Sequence, residues 1–403
     1  MVESLVAGAE MAEQPSPQAR IDWYPTHGGQ LQQIAERFGI PASRLLDFSA
    51  NINPEGPPSS VLSTLRASLD DSSVLREYPD LQLTEIKRAI ASYARVDTSN
   101  ITVANGFVPL LEAALRVLPI RRCLLPVPCF VEYRKTLARA RVEIAPYALN
   151  ADSHFKYDPA AMAAGSEDAI LLANPQNPSG ICHNVALIRD LVVRASEKKK
   201  YIFLDEAFID YVPEHSLSSE TDEFPNLIVF RSITKFCGMP GLRVAYAVAN
   251  PALSSEITES VPPWPVTTLA SRAVSAALGD RPYAERARAQ NIGGRNSLQH
   301  DLERLGLSVY PSSANFILFR LGSKVDSNVF WQHMIVQHGI VLRDCTNYEG
   351  LPHGHFRAAV RTTEENNRLV EALGAEGAQA LRGKDETQPV NRKPGQTEHP
   401  LGL

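Results

Sequence analysis

Short apolar runs alternate with amphipathic segments over the middle of the 403-residue chain. The apolar runs lie at residues 101–103, 123–127, 142–144, 169–173, 201–204, 227–230 and 244–248. A segment with apolar positions three and four residues apart precedes the first run, at 83–93, and three more separate later runs, at 108–118, 132–140 and 185–197. Apolar strands that alternate with helices favour a mostly parallel sheet covered by helices on both faces. The pattern therefore predicts an α/β fold.

The pattern differs at both ends of the chain. Residues 31–38 have helical spacing that stops at Gly39 and Pro41, a short strand at 46–48 leads into a polar turn, and 61–69 predicts a further helix. A long helical stretch covers 284–305, with charged residues on what we predict to be its solvated face (Arg286, Arg288, Arg295, Asp301 and Glu303). Short strands at 308–310, 316–319, 340–342 and 356–360 and helices at 329–338 and 364–373 follow. The helices and strands from residue 284 onward predict a small α+β domain.

Length and local composition predict more than one domain, because 403 residues exceed what a single hydrophobic core usually organises. We predict a flexible lead (1–20), an N-terminal segment that packs on the small domain and the active site (21–75), a large domain (76–280), a small C-terminal domain (281–374) and a disordered tail (375–403). The tail is rich in polar residues and poor in apolar ones.

Composition excludes several classes of function. A formal net charge of −5 without a long basic block gives no reason to expect a nucleic-acid partner. The five cysteines are scattered and none has CxxC spacing, so we predict neither disulfides nor a zinc site, and metal ions are not part of the predicted site. The chain begins without the basic and apolar pattern of a signal peptide and lacks a long apolar run. We therefore expect a cytoplasmic protein with no membrane partner.

Candidate chemistry concentrates where the apolar strand at 227–230 ends. Lys235 follows Ser232 and Thr234 and precedes Arg243. A lysine amine can form a Schiff base with an aldehyde cofactor, and the hydroxyls and the arginine can hold a phosphate. A lysine at a strand end is more often a solvated surface residue, so this stretch needs partners elsewhere in the chain.

Such partners follow the ends of other predicted strands, where a ligand crevice forms in an open α/β sheet. Asp205 could pair with a protonated ring nitrogen, Asn177 could donate to a ring oxygen, and Phe130 could stack on the ring. The turn at 106–108 (Gly106, Phe107 and Val108) opens a helix whose backbone N–H groups could bind phosphate. Each also has an ordinary structural interpretation, as an N-cap, a turn residue or a core side chain. Those interpretations leave the clustering at strand ends unexplained.

Three motifs together resemble the fold-type I pyridoxal-phosphate (PLP) enzymes. They are Asn-Pro-Gln-Asn-Pro-Ser-Gly at 174–180, Asp-Glu-Ala-Phe at 205–208, and Ser-Ile-Thr-Lys at 232–235 followed by Gly-Leu-Arg at 241–243. The resemblance covers residues 24–373 and implies a large PLP-binding domain and a small domain. It implies that Lys235 forms the Schiff base, that Asp205 pairs with the pyridine nitrogen and that Asn177 contacts the ring oxygen. Tyr78 matches a tyrosine that reaches the phosphate of the neighbouring subunit, which implies a homodimer.

Two groups within this family resemble the chain most closely. Histidinol-phosphate aminotransferases share the core motifs. Threonine-phosphate decarboxylases of cobalamin biosynthesis also share His-Gly-Gly at 27–29, the run at 46–54, and the segments at 339–345 and 356–362. Phe208 stands where the aminotransferases usually carry a tyrosine whose hydroxyl contacts the ring oxygen. Phe107 departs from the small or polar residue usual after the glycine, so only a backbone contact to phosphate is expected there.

The decarboxylase resemblance implies loss of CO2 from L-threonine O-3-phosphate to give (R)-1-amino-2-propanol O-2-phosphate. Lys235 is the candidate proton donor. Arg357 is the expected carboxylate contact and Arg343 a substrate-phosphate contact, because two anionic groups need two fixed cations. The other predicted substrate contacts are Asn177, His27, Gly28, Gly29, Asn53 and Arg361, with Tyr133 as a further candidate.

Three alternatives stay open at this point. The chain could transfer the amino group of histidinol phosphate. It could decarboxylate L-serine O-phosphate, which lacks only one methyl group, a difference of about 1–3 kcal/mol in a hydrophobic pocket. It could also bind PLP without turnover, as a partner subunit in attachment of the cobinamide side chain.

Overall fold

Strands and helices alternate along the chain as the apolar pattern predicts, in a computed structural model that describes residues 23–323 and 325–376. The strands are β1 (Leu46–Asp47), β2 (Ile101–Ala104), β3 (Arg122–Val127), β4 (Glu143–Ala148), β5 (Ala169–Ala173), β6 (Tyr201–Asp205), β7 (Leu227–Ser232), β8 (Ala245–Val248), β9 (Ser308–Val309), β10 (Phe316–Arg320), β11 (Ile340–Val341), β12 (Arg343–Asp344) and β13 (His355–Ala359). The α-helices are α1 (Leu31–Phe38), α2 (Ser59–Asp70), α3 (Ser73–Arg76), α4 (Thr84–Ala94), α5 (Phe107–Val117), α6 (Val131–Arg139), α7 (Pro159–Ala164), α8 (Val185–Glu197), α9 (Ile233–Phe236), α10 (Pro251–Ser260), α11 (Thr268–Gly279), α12 (Arg281–Arg304), α13 (Ser327–His338) and α14 (Thr363–Ala375).

A seven-stranded sheet in the order β2-β8-β7-β6-β5-β3-β4 organises the first part of the fold. Among its strands only β8 runs antiparallel to its neighbours, so the carboxyl ends of the other six reach one edge. Side chains of the central strands alternate between two apolar clusters: Leu172 and Leu204 belong to one, Leu171 and Phe203 to the other. Burial of each such side chain contributes about 1.5–3 kcal/mol. The predicted sheet covered on both faces is confirmed.

A four-stranded antiparallel sheet, in the order β12-β13-β10-β9, follows in the later part of the chain. Its core contains Phe319, Trp331 and Phe356, contributed by the sheet and α13. The N-terminal segment joins this core, because β1 pairs in parallel with β11 and Phe48 is completely buried in the same cluster. This pairing brings the chain just before residue 50 next to the strand that precedes Arg343.

Several helices were not predicted, namely α3, α7, α9, α10 and α11. The last two are rich in alanine and serine, so a hydrophobic pattern marks them weakly. Their starts carry local signals instead: Asn250 and Thr267 accept backbone N–H groups of the first turn, and Pro251 occupies the first helical position. Helix α11 packs against α2 and α4 and covers the large sheet.

The prediction of a fully solvated charged face on α12 is wrong for two residues. Arg288 is half-buried and donates from Nε to the carbonyl of Asp210 at 2.8 Å. Arg295 is half-buried and donates to the carbonyl of Ala314 at 3.4 Å. The helix passes over loops of both sheets, and a pattern along one helix does not reveal such neighbours.

The predicted lead at 1–20 and the predicted tail from residue 377 onward lie outside the described residues. Within the described ranges, no helix has both the length and the apolar character needed to cross a membrane.

Candidate active site

A cavity of about 390 Å³ opens at the carboxyl edge of the large sheet and extends to the small sheet. Fourteen of the residues predicted for the site line it: His27, Gly28, Gly106, Phe107, Val108, Phe130, Asn177, Asp205, Ser232, Thr234, Lys235, Arg243, Arg343 and Arg357. They come from nine separate stretches of the chain. The parallel strands bring together the residues that follow β2, β3, β5, β6 and β7, and the small sheet supplies the two arginines at the other end.

Lys235 and Asp205 form the charged centre of one end, which we call the cofactor end. Burial lowers the pKa of the Lys235 ammonium, and Arg243 and Arg357 lower it further, against the opposing effect of Asp205. A lowered pKa favours the free amine that Schiff-base chemistry requires. Burial raises the pKa of Asp205, and the nearby Lys235 opposes that rise. The two groups therefore stabilise one another's charged forms.

Tyr133 supports Asp205. Its buried hydroxyl donates a hydrogen bond to the Asp205 carboxylate, and the backbone N–H of Ala207 donates to the other carboxylate oxygen at 2.9 Å. The sequence suggested Tyr133 as a substrate contact. The structure instead places its hydroxyl on the aspartate, where it orients the carboxylate.

The residues predicted to bind phosphate meet at the start of α5. Gly106 has φ of 99°, a conformation that suits glycine, and a Cβ there would lie 2.9 Å from Nη2 of Arg243. The first N–H groups of a helix lack intrahelical acceptors and favour an anion. Ser232 and Thr234 place their hydroxyl oxygens 3.3 Å apart in the same cavity. The site thus offers a guanidinium, two hydroxyls and helix N–H groups to one phosphate.

The ring of Phe107 packs against Tyr133 and Phe230, with centroids 5.5 and 5.2 Å away. Its side chain is therefore held by the aromatic core. This agrees with the expectation that only backbone contacts reach a phosphate from this residue.

Arg343 and Arg357 define the other end of the cavity, which we call the substrate end. They are directly opposite each other on β12 and β13, so both side chains project from the same face of the small sheet. Like charges placed opposite each other destabilise a strand pair. The described residues supply no carboxylate within 4.0 Å of either guanidinium. An anionic ligand would relieve this repulsion.

Both arginines are held in place by neutral oxygens. Arg357 donates to Oδ1 of Asn177 at 2.6 Å and to the carbonyl of Ser49 at 3.2 Å, while its Nε is buried without a hydrogen-bond partner. Arg343 donates to the carbonyl of Thr26 at 3.0 Å and to Asn347 at 2.8 Å. Buried donors without partners are costly, so the free Nε is a further sign of a ligand position.

His27 stands at the entrance beside Glu132, with Nε2 3.1 Å from Oε1. Burial lowers the pKa of His27, and Glu132 opposes the shift. The next residue, Gly28, has no room for a side chain, because a Cβ would lie 2.0 Å from the carbonyl oxygen of Ser49. The His-Gly-Gly motif therefore permits the N-terminal segment to lie directly on the turn after β1.

Four predicted site residues do not line this cavity. Gly29 donates its N–H to Oγ of Ser49 at 3.0 Å. Asn53 points to the segment behind the lysine, where its amide donates to the carbonyl of Phe236 and to Tyr283. Arg361 forms an ion pair with Glu365 at 2.8 Å and donates to the carbonyl of Asp47, so its charge is already compensated. Each of these three residues has a hydrogen-bond partner elsewhere in the protein.

Tyr78 is the fourth predicted site residue that lies outside this cavity. It is 80% exposed and stacks on Trp264, with ring centroids 4.6 Å apart. Its predicted role concerns the neighbouring subunit and stays a prediction.

Several lining residues were not predicted as site residues, among them Ser49, Ala50, Asn51, Ile52, Glu132 and Tyr348. The first four belong to the run at 46–54, whose polar turn was the available signal. Glu132 and Tyr348 reach the cavity only through the packing of α6 and of the loop before β13, for which the sequence has no local signal. Phe208, noted for its missing hydroxyl, also lines the cavity, with its ring centroid 4.8 Å from Nζ of Lys235.

Comparisons with known proteins agree with this geometry. The model of the family "Aminotransferase class I and II" matches residues 43–373. The chain is 32% identical to threonine-phosphate decarboxylase from Salmonella typhimurium, over 86% of this chain and 95% of that protein. It is 31% identical to histidinol-phosphate aminotransferase 2 from Ralstonia nicotianae, over 88% of this chain and 94% of that protein. The structure of histidinol-phosphate aminotransferase from Sinorhizobium meliloti in complex with pyridoxal-5'-phosphate superposes with a TM-score of 0.74 at 19% identity, covering 89% of this chain and all of that one.

Proposed function

We propose that this chain, which belongs to the aminotransferase class I and II family, decarboxylates L-threonine O-3-phosphate. The observation that carries the proposal is the opposed pair Arg343 and Arg357 at the far end of the cavity that contains Lys235. A substrate for this site needs an amine for the cofactor end and two anionic groups for the arginines. A phosphorylated amino acid has all three on one small molecule.

Pyridoxal 5'-phosphate is the cofactor. The residues of the cavity fit this cofactor. Gly106 leaves open a space beside Arg243 that any side chain there would fill, and Lys235 and the buried Asp205 line the same cavity. Arg243, Ser232, Thr234 and the start of α5 would hold its phosphate, and Asp205 its pyridine nitrogen. When bound, PLP supplies an aldehyde for the substrate amine and takes up the electrons left when a bond at Cα breaks.

The substrate end would bind the two anionic groups. Arg357 would hold the carboxylate, and Arg343 and His27 the substrate phosphate. Arg357 is restrained by Asn177 and by the carbonyl of Ser49 before substrate arrives, so little side-chain entropy is lost on binding. In the reaction the bond between Cα and the carboxyl carbon breaks, CO2 leaves, and one proton is added at Cα.

Lys235 is the proposed donor of that proton. It lines the cavity at the cofactor end, and its lowered pKa makes the ammonium a better acid at neutral pH than an ordinary lysine. The wall beside it is apolar, because the ring of Phe208 packs against Phe316 with centroids 4.9 Å apart. Phe208 donates no hydrogen bond, so Asn177 is left as the side-chain donor that we assign to the ring oxygen.

The test is an assay for CO2 from L-threonine O-3-phosphate with the PLP-loaded protein and no 2-oxo acid. We expect release of one CO2 for each aminopropanol phosphate formed. L-serine O-phosphate, assayed in parallel, should be slower by the roughly 10–200-fold that one methyl group can provide.

Amino transfer from histidinol phosphate is the second candidate, favoured by the similar identity to an aminotransferase. If 2-oxoglutarate became glutamate with histidinol phosphate as donor, while no CO2 appeared, the decarboxylase proposal would be wrong. A protein that binds PLP but shows neither reaction would instead support the non-catalytic partner role.

We also propose that the chain acts as a homodimer in which Tyr78 reaches the partner's cavity. Tyr78 stacks on the exposed Trp264, and the chain on either side of it has further strongly exposed apolar side chains at Leu69, Leu75 and Leu81. Large exposed apolar side chains grouped in this way are typical of an interface.

The dimer proposal has a test of its own. Mixing Tyr78→Ala and Lys235→Ala subunits should restore activity, because each mixed dimer assembles one complete site. With random mixing, half the subunits pair as mixed dimers, so about a quarter of all sites are complete. Failure to restore activity in mixed dimers would place Tyr78 outside the partner's site.

A further inference from the structure

Two histidines and a glutamate meet where α13 and α14 end. Nε2 of His333 lies 3.1 Å, and Nε2 of His338 2.9 Å, from the same oxygen of Glu376. The three possible ligand atoms all lie within 4.8 Å of one another. Zinc binds imidazole nitrogen and carboxylate oxygen at about 2.0–2.2 Å, so tetrahedral ligand atoms are about 3.3 Å apart. The two distances from a histidine Nε2 to the Glu376 oxygen are already close to that value.

The electrostatics of the two helix ends favour a cation at this point. His338 is the last residue of α13, and Glu376 is the C-cap of α14. The C-terminal end of a helix carries a partial negative charge, which makes it unfavourable for a carboxylate and favourable for a cation. Glu376 therefore lies where its own charge needs compensation, beside a second helix end of the same sign.

We propose that His333, His338 and Glu376 bind a divalent transition-metal ion of the zinc type. Two imidazoles and one carboxylate match the preferences of Zn²⁺ rather than those of Ca²⁺ or Mg²⁺, which bind oxygen ligands. Three protein ligands leave the fourth tetrahedral position for water. The ion ties the end of α14 to α13, and so fixes the last described helix on the small sheet. Cysteine spacing could not reveal this site, because its ligands are histidines on one helix and a glutamate 38 residues beyond the second of them.

The competing interpretation needs no metal. Neutral or protonated imidazoles can donate N–H groups to the shared carboxylate oxygen, which would link the same helices by hydrogen bonds. The two interpretations differ in whether added Zn²⁺ binds at these residues and stabilises the protein.

The first experiment measures Zn²⁺ affinity by competition with a chromophoric chelator. It uses the full, PLP-loaded chain without an affinity tag. We expect one Zn²⁺ per chain, bound at least about 10-fold more weakly in each of H333Q, H338Q and E376Q, since loss of even an outer partner of a metal site has that effect. His300 is an exposed histidine on α12 and supplies the matched control, because H300Q should bind like the unaltered chain.

The second experiment measures thermal unfolding with and without Zn²⁺ at 100 times its dissociation constant. Zn²⁺ should raise Tm in the unaltered chain and in H300Q, and should raise it by about half as much or less in H338Q, whose affinity for Zn²⁺ is lower. Equal affinity in H338Q, E376Q and the unaltered chain, or no Zn²⁺-dependent rise in Tm, would overturn the proposal. Neither result depends on which reaction the active site catalyses.

Discussion

The two ends of the cavity differ in how their charges are balanced. At the cofactor end, the buried ammonium of Lys235 lies close enough to the carboxylate of Asp205 to shift its pKa. At the substrate end, Arg343 and Arg357 oppose each other and are held only by carbonyl, amide and hydroxyl oxygens of the described residues. The first end contains both signs of charge. At the second, the described residues place no carboxylate within 4.0 Å of either guanidinium.

In the proposed function, this difference separates the residues that would hold the cofactor from those that would select the substrate. Because its opposite charges balance within the chain, the cofactor end can keep its geometry with any substrate. A site for a resident cofactor needs this property. The substrate end gains most of its electrostatic stabilisation from the ligand, so its affinity depends on how many anionic groups that ligand has and where they lie. A comparison of substitutions at the two ends should therefore separate cofactor effects from substrate effects.

The largest effect is expected from Lys235→Ala at the cofactor end. Loss of the amine removes both the Schiff-base partner and the proposed proton donor, so kcat should fall by at least about 10²–10⁴-fold. The visible absorbance of the lysine-bound cofactor should also disappear. Lys198→Ala, at an exposed position after α8, is the control and should keep both. If the absorbance persists in the alanine variant, Lys235 is not the cofactor lysine.

Glu206 follows Asp205 in the chain but does not line the cavity, and it should make the stability of the protein depend on pH. Burial raises the pKa of Glu206 to about 7, while its carboxylate accepts hydrogen bonds from Ser216 and from the N–H of Leu217. A carboxyl group with a raised pKa stabilises the fold at low pH, and that stabilisation is lost as pH rises through about 7. From pH 5 to pH 8 the loss is about 2 kcal/mol.

Urea unfolding of the Glu206→Gln variant at the two pH values measures this loss. The glutamine variant cannot ionise, so relative to the unaltered chain it should gain about 2 kcal/mol in free energy of unfolding between pH 5 and pH 8. The exposed Glu197→Gln should show no such difference. If the free energies of unfolding of the glutamine variant and the unaltered chain differed by the same amount at pH 5 and pH 8, Glu206 would have to stay ionised through its interaction with Arg231.

At the substrate end, Arg357→Lys tests the carboxylate contact. A lysine cannot donate to Asn177, to the carbonyl of Ser49 and to a substrate carboxylate in the fork geometry of a guanidinium. We expect kcat/KM to fall about 10–100-fold, as loss of a charge-assisted hydrogen bond implies, with unchanged PLP affinity. Arg361→Lys is the matched control, because Arg361 is paired with Glu365 outside the cavity. Equal losses in both variants would contradict the assignment.

The cofactor end was also the more predictable one. Its residues lie where parallel strands end, so strand pattern and motif order were enough to place Lys235, Asp205 and Gly106 in one site. The substrate end depends on contacts between residues far apart in sequence, such as Arg357 with Ser49. The prediction for Arg361 shows the limit, because only the structure reveals that Glu365, one helical turn later, takes up its charge.

The smallest effect is expected from Tyr133→Phe, which tests how far the geometry of the cofactor end depends on a single hydrogen bond. The Tyr133 hydroxyl donates to Asp205 and lowers the pKa of that carboxyl, although burial raises it overall. In Tyr133→Phe the pKa of Asp205 should rise further, so less of it is ionised at a given acidic pH. We expect kcat to fall about 5–10-fold, the value of one hydrogen bond, with KM for threonine phosphate unchanged. The deficit should grow as pH falls, which kcat measured from pH 5 to pH 8 would reveal. Tyr147→Phe, on the edge strand β4, should match the unaltered chain at every pH. A rise in KM instead would return Tyr133 to the substrate contacts and weaken the distinction between the two ends.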